Sequence, residues 1–443
     1  MTKTPSQARA DMPWCVDSWL RAARPGCEDF VLVDDLHEAR MRWESLGPAE
    51  VLVALAPRRR PGRRTHLARD FASLCGATVE RFLAFPGTGG SRVLVGAAPL
   101  AAIPRSLDLL PAGRRRWRIV RALLRPLTRF GLGPWLGLEE LVVAYRHTGP
   151  TTHLSATIGV PGLFRKTVVR EADARGRALR FLKVGDTEAS RDRIRRETRS
   201  LMLLQDRGFA QAPNLLDRND SAHVAWLAQS PIEGRRSSDD LGPLHSTFLK
   251  TLADSHRSVL PLASIESVQR TLQDLDDLQD RVDATWWNAM NDLARGLRGV
   301  LGDRAVPCTP SHGDFTPWNL IERDEELIAI DWEFYEDAAP AGRDLCHFHL
   351  QTGILVRHVA GAELLVELLD LLRGPFRTSC CLDAEITVGF ALLHQAVHDE
   401  RIHAIERPPF EQVEWLRDAR LEMARILAPS FADATPLHLE LAA

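Results

Sequence analysis

Residues 311–333 bring acidic and amide side chains to spacings that suit a small, hard cation. Their sequence is SHGDFTPWNLIERDEELIAIDWE, in which two short apolar runs flank a charged turn. This pattern predicts a β-hairpin with Asn319 at the start of the first strand and Asp331 at the end of the second, so that the two side chains converge. Mg²⁺ takes oxygen ligands and usually binds through one or two protein groups together with phosphates. The pair therefore predicts a Mg²⁺ site, and Asp314 is left to accept a proton or to orient a hydroxyl group.

Each of these three residues also has an ordinary explanation, because Asp and Asn are favoured in turns for local hydrogen-bonding reasons. The complete set is harder to explain in that way. The string HGDFTPWN, followed by IDWE, resembles the aminoglycoside phosphotransferase and choline kinase-like family, relatives of the protein kinases. The resemblance covers about residues 152–426. It implies that Asp314 meets the acceptor hydroxyl and that Asn319 and Asp331 bind the metal that bridges the nucleotide phosphates.

A lysine lies inside a predicted strand of the same region. Lys183 follows the apolar run 179–182, and its ammonium must reach a partner or solvent. The resemblance implies that Lys183 binds the α- and β-phosphates and that Glu197, in a predicted helix that follows, braces it. Two alternatives stay open. Glu188 also precedes that helix as a competing partner, and Glu197 could instead form an exposed ion pair with an arginine of its own helix.

Two further elements are expected at the nucleotide. Gly159 and Gly162 lie in the turn between predicted strands 154–158 and 166–171. The resemblance places the lid over the phosphates there, where glycine lets the backbone approach closely, although a simple β-turn fits equally well. Gln229 begins a predicted hinge whose backbone groups would hold the adenine of ATP.

The strands and helices predicted around these residues indicate an α+β chain. Together with the resemblance, they predict a bilobal protein-kinase-like fold, preceded by a separate small α/β domain. In the N-terminal part, short strands alternate with helical segments, which favours a partly parallel sheet. The later part has the periodicity of helices. The predicted domains are an N-terminal α/β domain of unknown role at 1–148, a small β-rich N-lobe at 149–230, and a helical C-lobe with the catalytic loop and acceptor site at 231–443.

Composition limits the classes of function. The chain has 443 residues, enough for two or three domains, with 45% hydrophobic and 26% charged residues, as in globular proteins. A net charge of −3 gives no reason to expect nucleic acid binding. The seven cysteines are scattered without metal-ligand spacing, which indicates thiols in a reducing compartment. Without a signal-like or membrane-spanning apolar segment, we expect a cytoplasmic protein.

One basic segment could touch a partner. In the segment from Arg114 to Arg129, arginines alternate with apolar residues. This pattern is typical of an amphipathic element that lies on an anionic membrane or docks an acidic partner. It also fits a helix with a solvated arginine face, and Pro126 would interrupt a long interfacial helix.

These observations predict an ATP- and Mg²⁺-dependent phosphotransferase that phosphorylates a hydroxyl of a small molecule, such as a sugar, an aminoglycoside, an amino alcohol or a surface-glycan precursor. The alternative is a catalytically inactive pseudokinase that serves as a nucleotide-binding or scaffold module. Because the lysine, the base and the metal ligands all have candidates in the sequence, the catalytic interpretation is favoured.

Overall fold

The computed structural model describes residues 15–24, 27–33, 36–47, 49–56, 71, 74, 76–87, 91–97, 102–109, 122, 139–146, 152–302, 304–374, 376, 382–406 and 411–432. The chain divides into two compact units. Unit 1 comprises Met1–Thr198 and Asn214–Pro231, and unit 2 comprises Arg199–Pro213 and Ile232–Ala443.

Unit 1 is built on one large sheet. Its strands are β1 (Asp29–Leu32), β2 (Glu50–Ala56), β3 (Thr78–Pro86), β4 (Arg92–Gly96), β5 (Glu139–Tyr145), β6 (His153–Ile158), β7 (Lys166–Ala172), β8 (Ala178–Gly185), β9 (Leu215–Asp220) and β10 (Ala225–Gln229). The order across the sheet is β1-β2-β5-β3-β4-β6-β7-β8-β10-β9. Strand β1 pairs with β2 in parallel, whereas the other described pairs are antiparallel.

Alternation along the strands explains how this sheet buries both faces. Successive side chains of a strand point to opposite faces, and Val51 and Val53 join one buried cluster whereas Leu52 and Ala54 join another. Trp19 covers the first face and meets Phe82 edge to face, with ring centroids 5.4 Å apart. The helices of unit 1 are α1 (Val16–Ala23), α2 (Leu36–Ser45), α3 (Ile103–Ser106) and the first part of α4 (Glu188–Asp206), with a 3₁₀ turn at Leu107–Leu109.

The sheet is continuous across residue 148, where the sequence predicts a domain boundary. Strand β4 pairs with β6 in antiparallel register, with Arg92 opposite Ile158 and Val95 opposite Ser155. The strands of the N-terminal part and those of the predicted N-lobe therefore share one ladder of backbone hydrogen bonds. The domain boundaries at 148 and 230 stay predictions.

Unit 2 is mainly helical. Its helices are the end of α4, α5 (Pro243–Ser255), α6 (Glu266–Asp277), α7 (Ala284–Leu301), α8 (Arg343–Thr352), α9 (Gly361–Arg373), α10 (Ala384–Glu406) and α11 (Glu411–Ala432). Its short strands are β11 (Arg235–Arg236), β12 (Ser258–Pro261), β13 (Ala305–Ser311), β14 (Leu320–Arg323), β15 (Glu326–Ala329) and β16 (Glu336–Pro340). Short 3₁₀ turns lie at Leu262–Ser264, Pro317–Asn319 and Trp332–Phe334, and a π-helical turn at Gly353–Arg357.

Helix α7 illustrates how the sequence builds the helical core. The Asp283 carboxylate caps its start by accepting hydrogen bonds from the Thr285 and Trp286 backbone N–H groups at 2.9 and 3.2 Å. Gly302, at φ 50°, follows its last residue. Its buried face includes Met290 and Leu293, three residues apart, which is the spacing of one helix face. This face joins the main apolar cluster of unit 2.

The predicted α+β class is confirmed by the strands of unit 1 and the helices of unit 2. Among the described residues, no helix is both long enough and apolar enough to span a lipid bilayer. The basic segment 114–129, for which a membrane surface or an acidic partner is predicted, lies outside the described residues except for residue 122.

Candidate active site

Asp314 is held by side chains on both of its carboxylate oxygens. It lies in the loop after β13, and its Oδ1 is 3.0 Å from His347 Nε2. Its Oδ2 accepts a hydrogen bond from Asn319 Nδ2 at 2.8 Å, and the same amide donates to the Asp314 carbonyl at 3.0 Å. The structure therefore brings together two of the residues predicted from the motif and adds His347.

The surroundings of Asp314 favour its ionised form. Burial acts to raise the pKa of the Asp314 carboxyl, and the charge of Asp331 acts in the same direction. The hydrogen bond and charge of His347 act in the opposite direction, and the pKa lies below its ordinary value of 3.8. At neutral pH the carboxylate is ready to accept a hydrogen bond from a hydroxyl group.

Asp344 fixes the backbone of this loop from helix α8. Its carboxylate accepts hydrogen bonds from Ser311 Oγ at 2.7 Å, from the His312 N–H at 2.6 Å and from the Gly313 N–H at 3.0 Å. Gly313 adopts φ 84°, and a Cβ there would lie 2.2 Å from the Phe334 carbonyl oxygen. The loop thus needs glycine at this position both for its backbone conformation and for the close approach.

His312 ties the two halves of the motif together. It is fully buried, its Nδ1 accepts the Asp314 backbone N–H at 3.2 Å, and its Nε2 lies 3.0 Å from the Ile330 carbonyl oxygen. A nitrogen facing a carbonyl must carry the proton, so these contacts fit a neutral imidazole protonated at Nε2. Burial lowers the pKa of His312, in agreement with the neutral form. His312 is therefore a structural link between the loop and the hairpin.

The predicted hairpin is present and carries the two proposed metal ligands. Strand β14 pairs with β15 with Leu320 opposite Ala329, and the Ile330 N–H donates to the Asn319 carbonyl at 2.9 Å. Asp331 follows at φ 70°, a left-handed conformation that Asp tolerates better than most residues. Asn319 and Asp331 thus lie at the same end of the hairpin.

The donor set fits Mg²⁺ bound together with phosphates. The Asn319 amide nitrogen faces Asp314, so its carbonyl oxygen is the atom left for a cation. Asp331 lies close enough for its charge to raise the pKa of Asp314, and a cation would relieve that repulsion. Among the described residues no cluster of three or more His, Cys, Asp or Glu could hold a metal. One or two protein ligands are what Mg²⁺ uses when phosphates complete its shell.

Lys183 and Glu197 form a buried ion pair in unit 1. Leu182 and Val184 point into the apolar cluster, so Lys183 projects from the opposite face of β8. There Lys183 Nζ donates to Glu197 Oε1, and the two side chains are only 8% and 0% exposed. Glu188, the competing partner, is exposed at the start of α4. The structure brings together the lysine and the helix glutamate that the sequence pairs.

The predicted lid is the connection between β6 and β7. The Gly159 N–H donates to the Lys166 carbonyl at 2.9 Å, and Gly162 is exposed beyond it. The end of this connection is attached to α4, because Thr187 Oγ1 donates to the Leu163 carbonyl and the Arg193 guanidinium lies 3.9 Å from the Phe164 ring centroid. The lid is thus anchored at one end beside the helix that carries Glu197.

Gln229 is the last residue of β10 and is buried. Its Oε1 has no hydrogen-bond partner among the described residues. The compact units change two residues later, after Pro231. The role of Gln229 and the hinge backbone in binding adenine stays a prediction.

His347 is the residue that sequence reasoning misses. It lies three positions after Asp344 on α8, which is the spacing of neighbours on one helix face. Because Asp344 holds the loop that carries Asp314, a polar residue one turn later on the same helix was the available signal in the sequence.

Residues 162–345 match the model of the phosphotransferase enzyme family, APH. This match confirms the resemblance that the motif predicts, and with it the protein-kinase-like fold class. A search of curated proteins found no match.

Several solved structures are similar to this chain. A thermostable mutant of the aminoglycoside phosphotransferase APH(4)-Ia, in a ternary complex with ADP and hygromycin B, is 12% identical with a TM-score of 0.43, and the alignment covers 61% of this chain and 93% of that chain. ADP-bound APH(2'')-Ib is 14% identical with a TM-score of 0.39, covering 60% and 93%. A choline/ethanolamine kinase family protein from Mesorhizobium loti is 15% identical with a TM-score of 0.41, covering 64% and 90%. Likeness at this level assigns no residue and no ligand to this chain.

Proposed function

Because residues 162–345 match the phosphotransferase enzyme family, we propose that this protein is a cytoplasmic, Mg²⁺-dependent enzyme that transfers the γ-phosphoryl group of ATP to a hydroxyl of a small molecule. One observation carries the proposal. The Asp314 carboxylate is ionised, and its two oxygens are in contact with His347 and Asn319. It lies close enough to Asp331, at the end of the hairpin, for the two charges to interact. Such a carboxylate suits a group that must orient a hydroxyl for attack.

In this reaction Asp314 accepts the proton of the acceptor hydroxyl. The acceptor oxygen forms a bond to the γ-phosphorus while the bond from that phosphorus to the β–γ bridging oxygen breaks, and ADP leaves. Phosphoryl transfer depends mostly on positioning and on charge stabilisation. A low pKa does not prevent Asp314 from acting, since the proton transfers late in a loose transition state and orientation is the main contribution.

Asn319 and Asp331 would hold the metal through one oxygen each. When bound with ATP, Mg²⁺ supplies positive charge to the phosphate oxygens. Asn319 has a second task, because its amide nitrogen also donates to Asp314 at 2.8 Å. Replacement of Asn319 would therefore disturb the base and the metal together.

Lys183 would bind the α- and β-phosphates. A buried ammonium is unfavourable without a partner, and Glu197 supplies one from helix α4. Gly159 and Gly162 would form the lid that covers the phosphates, and the backbone after Gln229 would hold the adenine.

The alternative of an inactive pseudokinase has no support in these residues. A module that had lost catalysis would lack the lysine, the base or a metal ligand. Here Lys183, Asp314, Asn319 and Asp331 are all present.

The function is tested with four purified proteins: the wild type and the variants Asp314→Ala, Asp331→Ala and Asp324→Asn. Calorimetric titration with ATP and Mg²⁺ measures binding. Transfer from ATP is measured against choline, homoserine, hexoses and aminoglycosides. We expect Asp314→Ala to abolish transfer, a loss of at least about 100-fold, with nucleotide affinity unchanged, whereas Asp331→Ala weakens the affinity for ATP with Mg²⁺.

Asp324→Asn is the matched control. Asp324 lies in the exposed turn between β14 and β15 at φ 49°, a conformation that Asn also tolerates, so both measurements should equal those of the wild type. Full turnover by Asp314→Ala would show that the assignment of Asp314 is wrong. Absence of ATP binding by the wild type would refute the proposed function.

A further inference from the structure

Helix α8 supports the proposed base at two points. Asp344, in its first turn, accepts the N–H groups of His312 and Gly313. One turn later, His347 Nε2 lies 3.0 Å from Asp314 Oδ1. A single helix thus fixes both the backbone of the loop and the side chain of Asp314.

We propose that His347 is a positioning residue for phosphoryl transfer, whose Nε2–H group holds the Asp314 carboxylate in the orientation that receives the acceptor hydroxyl. This inference rests on the proposed function. The sequence motif contains no hint of it, since His347 lies beyond the stretch that carries the base and the metal ligands.

The contact on each carboxylate oxygen explains how the orientation is kept. Oδ1 accepts from His347, and Oδ2 accepts from Asn319 at 2.8 Å. Rotation of the carboxylate would break both hydrogen bonds at once. An ionised carboxylate has about four acceptor sites, so the two contacts leave acceptor capacity for the hydroxyl of a substrate.

The chemistry of the pair makes His347 a positioning group rather than the final proton acceptor. An ionised carboxylate only accepts hydrogen bonds, so the nitrogen facing it must carry the proton. Nε2 therefore cannot take the proton that Asp314 receives from the hydroxyl. Its effect is to keep Asp314 ionised and aligned.

The side chain of His347 is itself well supported. It is 11% exposed and lies on helix α8, so fixing its rotamer costs little further entropy on substrate binding. Its charged and titratable partners come from two elements. They are Asp314 from the loop and His394 from α10, and Arg343 and Asp344 lie on its own helix.

Two substitutions separate the hydrogen bond from the volume of the side chain. His347→Gln keeps an N–H donor on a side chain of similar reach, and His347→Leu fills the space without a donor. Phosphate release from ATP and Mg²⁺, with water as the acceptor, is measured at neutral pH for the wild type and both variants. Circular dichroism and thermal unfolding verify that each variant is folded.

We expect His347→Leu to lower kcat by about 10- to 100-fold while the KM for ATP changes by less than about twofold. His347→Gln should restore most of kcat, because it keeps a donor that can reach the Asp314 carboxylate. A side chain that only fills space would give the opposite order, with Leu equal to or better than Gln.

A spectroscopic measurement reads the same contact without turnover. Protein labelled with ¹³C at histidine Cε1 is studied by NMR, and the missing signal of His347→Gln assigns His347. In Asp314→Asn the chemical shift of the His347 signal should change, because its carboxylate partner is gone. An unchanged His347 signal in Asp314→Asn would overturn the inference.

The two measurements distinguish the inference from the function on which it rests. If the wild type releases phosphate and His347→Leu does so at the same rate, the inference is wrong and the function stands. If the wild type neither binds ATP nor releases phosphate, the proposed function fails and the positioning role of His347 in transfer fails with it, whatever the NMR measurement shows.

Discussion

Replacing Asp344 with alanine removes the group that holds the loop at residues 311–314. Its carboxylate accepts three hydrogen bonds, from Ser311 Oγ at 2.7 Å, the His312 N–H at 2.6 Å and the Gly313 N–H at 3.0 Å. His312 is fully buried, so water cannot readily replace the lost acceptor at its N–H group. Asp344→Ala therefore leaves buried backbone donors without partners.

The magnitude follows from these contacts. A hydrogen bond to a charged group contributes about 1.5 to 3 kcal/mol, and a buried donor left without a partner costs about 1 to 3 kcal/mol. The terms are not additive, and loss of one partner in a buried charged network costs about 3 to 5 kcal/mol. We expect that loss for Asp344→Ala. Asp344→Asn keeps one acceptor oxygen, so its loss should be about 2 kcal/mol.

Two measurements check this prediction. Urea-induced unfolding gives the free energy of unfolding, and hydrogen–deuterium exchange of a peptide covering 311–316 gives the free energy of local opening. A loss of about 3 to 5 kcal/mol corresponds to a decrease in protection of about two to four orders of magnitude. Asp276→Ala, at an exposed position of α6, is the control, and its unfolding free energy should change by less than about 0.5 kcal/mol.

A small effect would refute the reasoning. If Asp344→Ala changed the unfolding free energy by less than about 1 kcal/mol and left the exchange of 311–316 within about tenfold of the wild type, the carboxylate could not be the main anchor of the loop. An equal loss in Asp276→Ala would show that the assay reports a general effect of removing acidic residues.

Two further predictions concern unit 2. Gly313→Ala should lower the unfolding free energy by more than about 2 kcal/mol, because Gly313 adopts φ 84° and the new Cβ would lie 2.2 Å from the Phe334 carbonyl oxygen. Gly208→Ala is the control, since Gly208 adopts φ 69° with no atom within 4 Å of the new Cβ and incurs only the backbone strain. Equal losses of the two variants in thermal unfolding would contradict the steric argument. Burial, with the charge of Arg357, lowers the pKa of His349 from 6.5 to about 4. The unfolded chain therefore binds this proton at higher pH than the folded protein, and stability should fall by about 3 kcal/mol as the pH decreases through that window. In urea titrations, His349→Gln should remove this part of the pH dependence of the unfolding free energy. An unchanged pH dependence would contradict the prediction.

Residues close in sequence could be predicted well. The hairpin of β14 and β15 follows from two apolar runs around a charged turn, and it places Asn319 and Asp331 at one end. Asp314 and Asn319 are also near neighbours in the chain, so their contact needs only a local turn. Local spacing determines such geometry because few backbone conformations connect the residues.

Contacts between residues far apart in the chain could be predicted from the sequence only in part. That Lys183 faces away from the apolar cluster follows from strand alternation, and its pairing with Glu197 was inferred from a family resemblance. The choice of Glu197 over the exposed Glu188 was decided by the packing of α4 against the sheet. Periodicity gives the faces of a helix and a strand, but it does not give the register in which they pack.

The sequence by itself therefore determined which side chains residues 311–333 offer to the proposed reaction, because they lie within one loop and one hairpin. Only the tertiary structure decided that β4 pairs with β6 to make one ten-stranded sheet, and that His347 meets Asp314. Strand pairing and contacts between a helix and a loop join residues far apart in the chain. They depend on which apolar faces are buried together, and no local pattern encodes that choice.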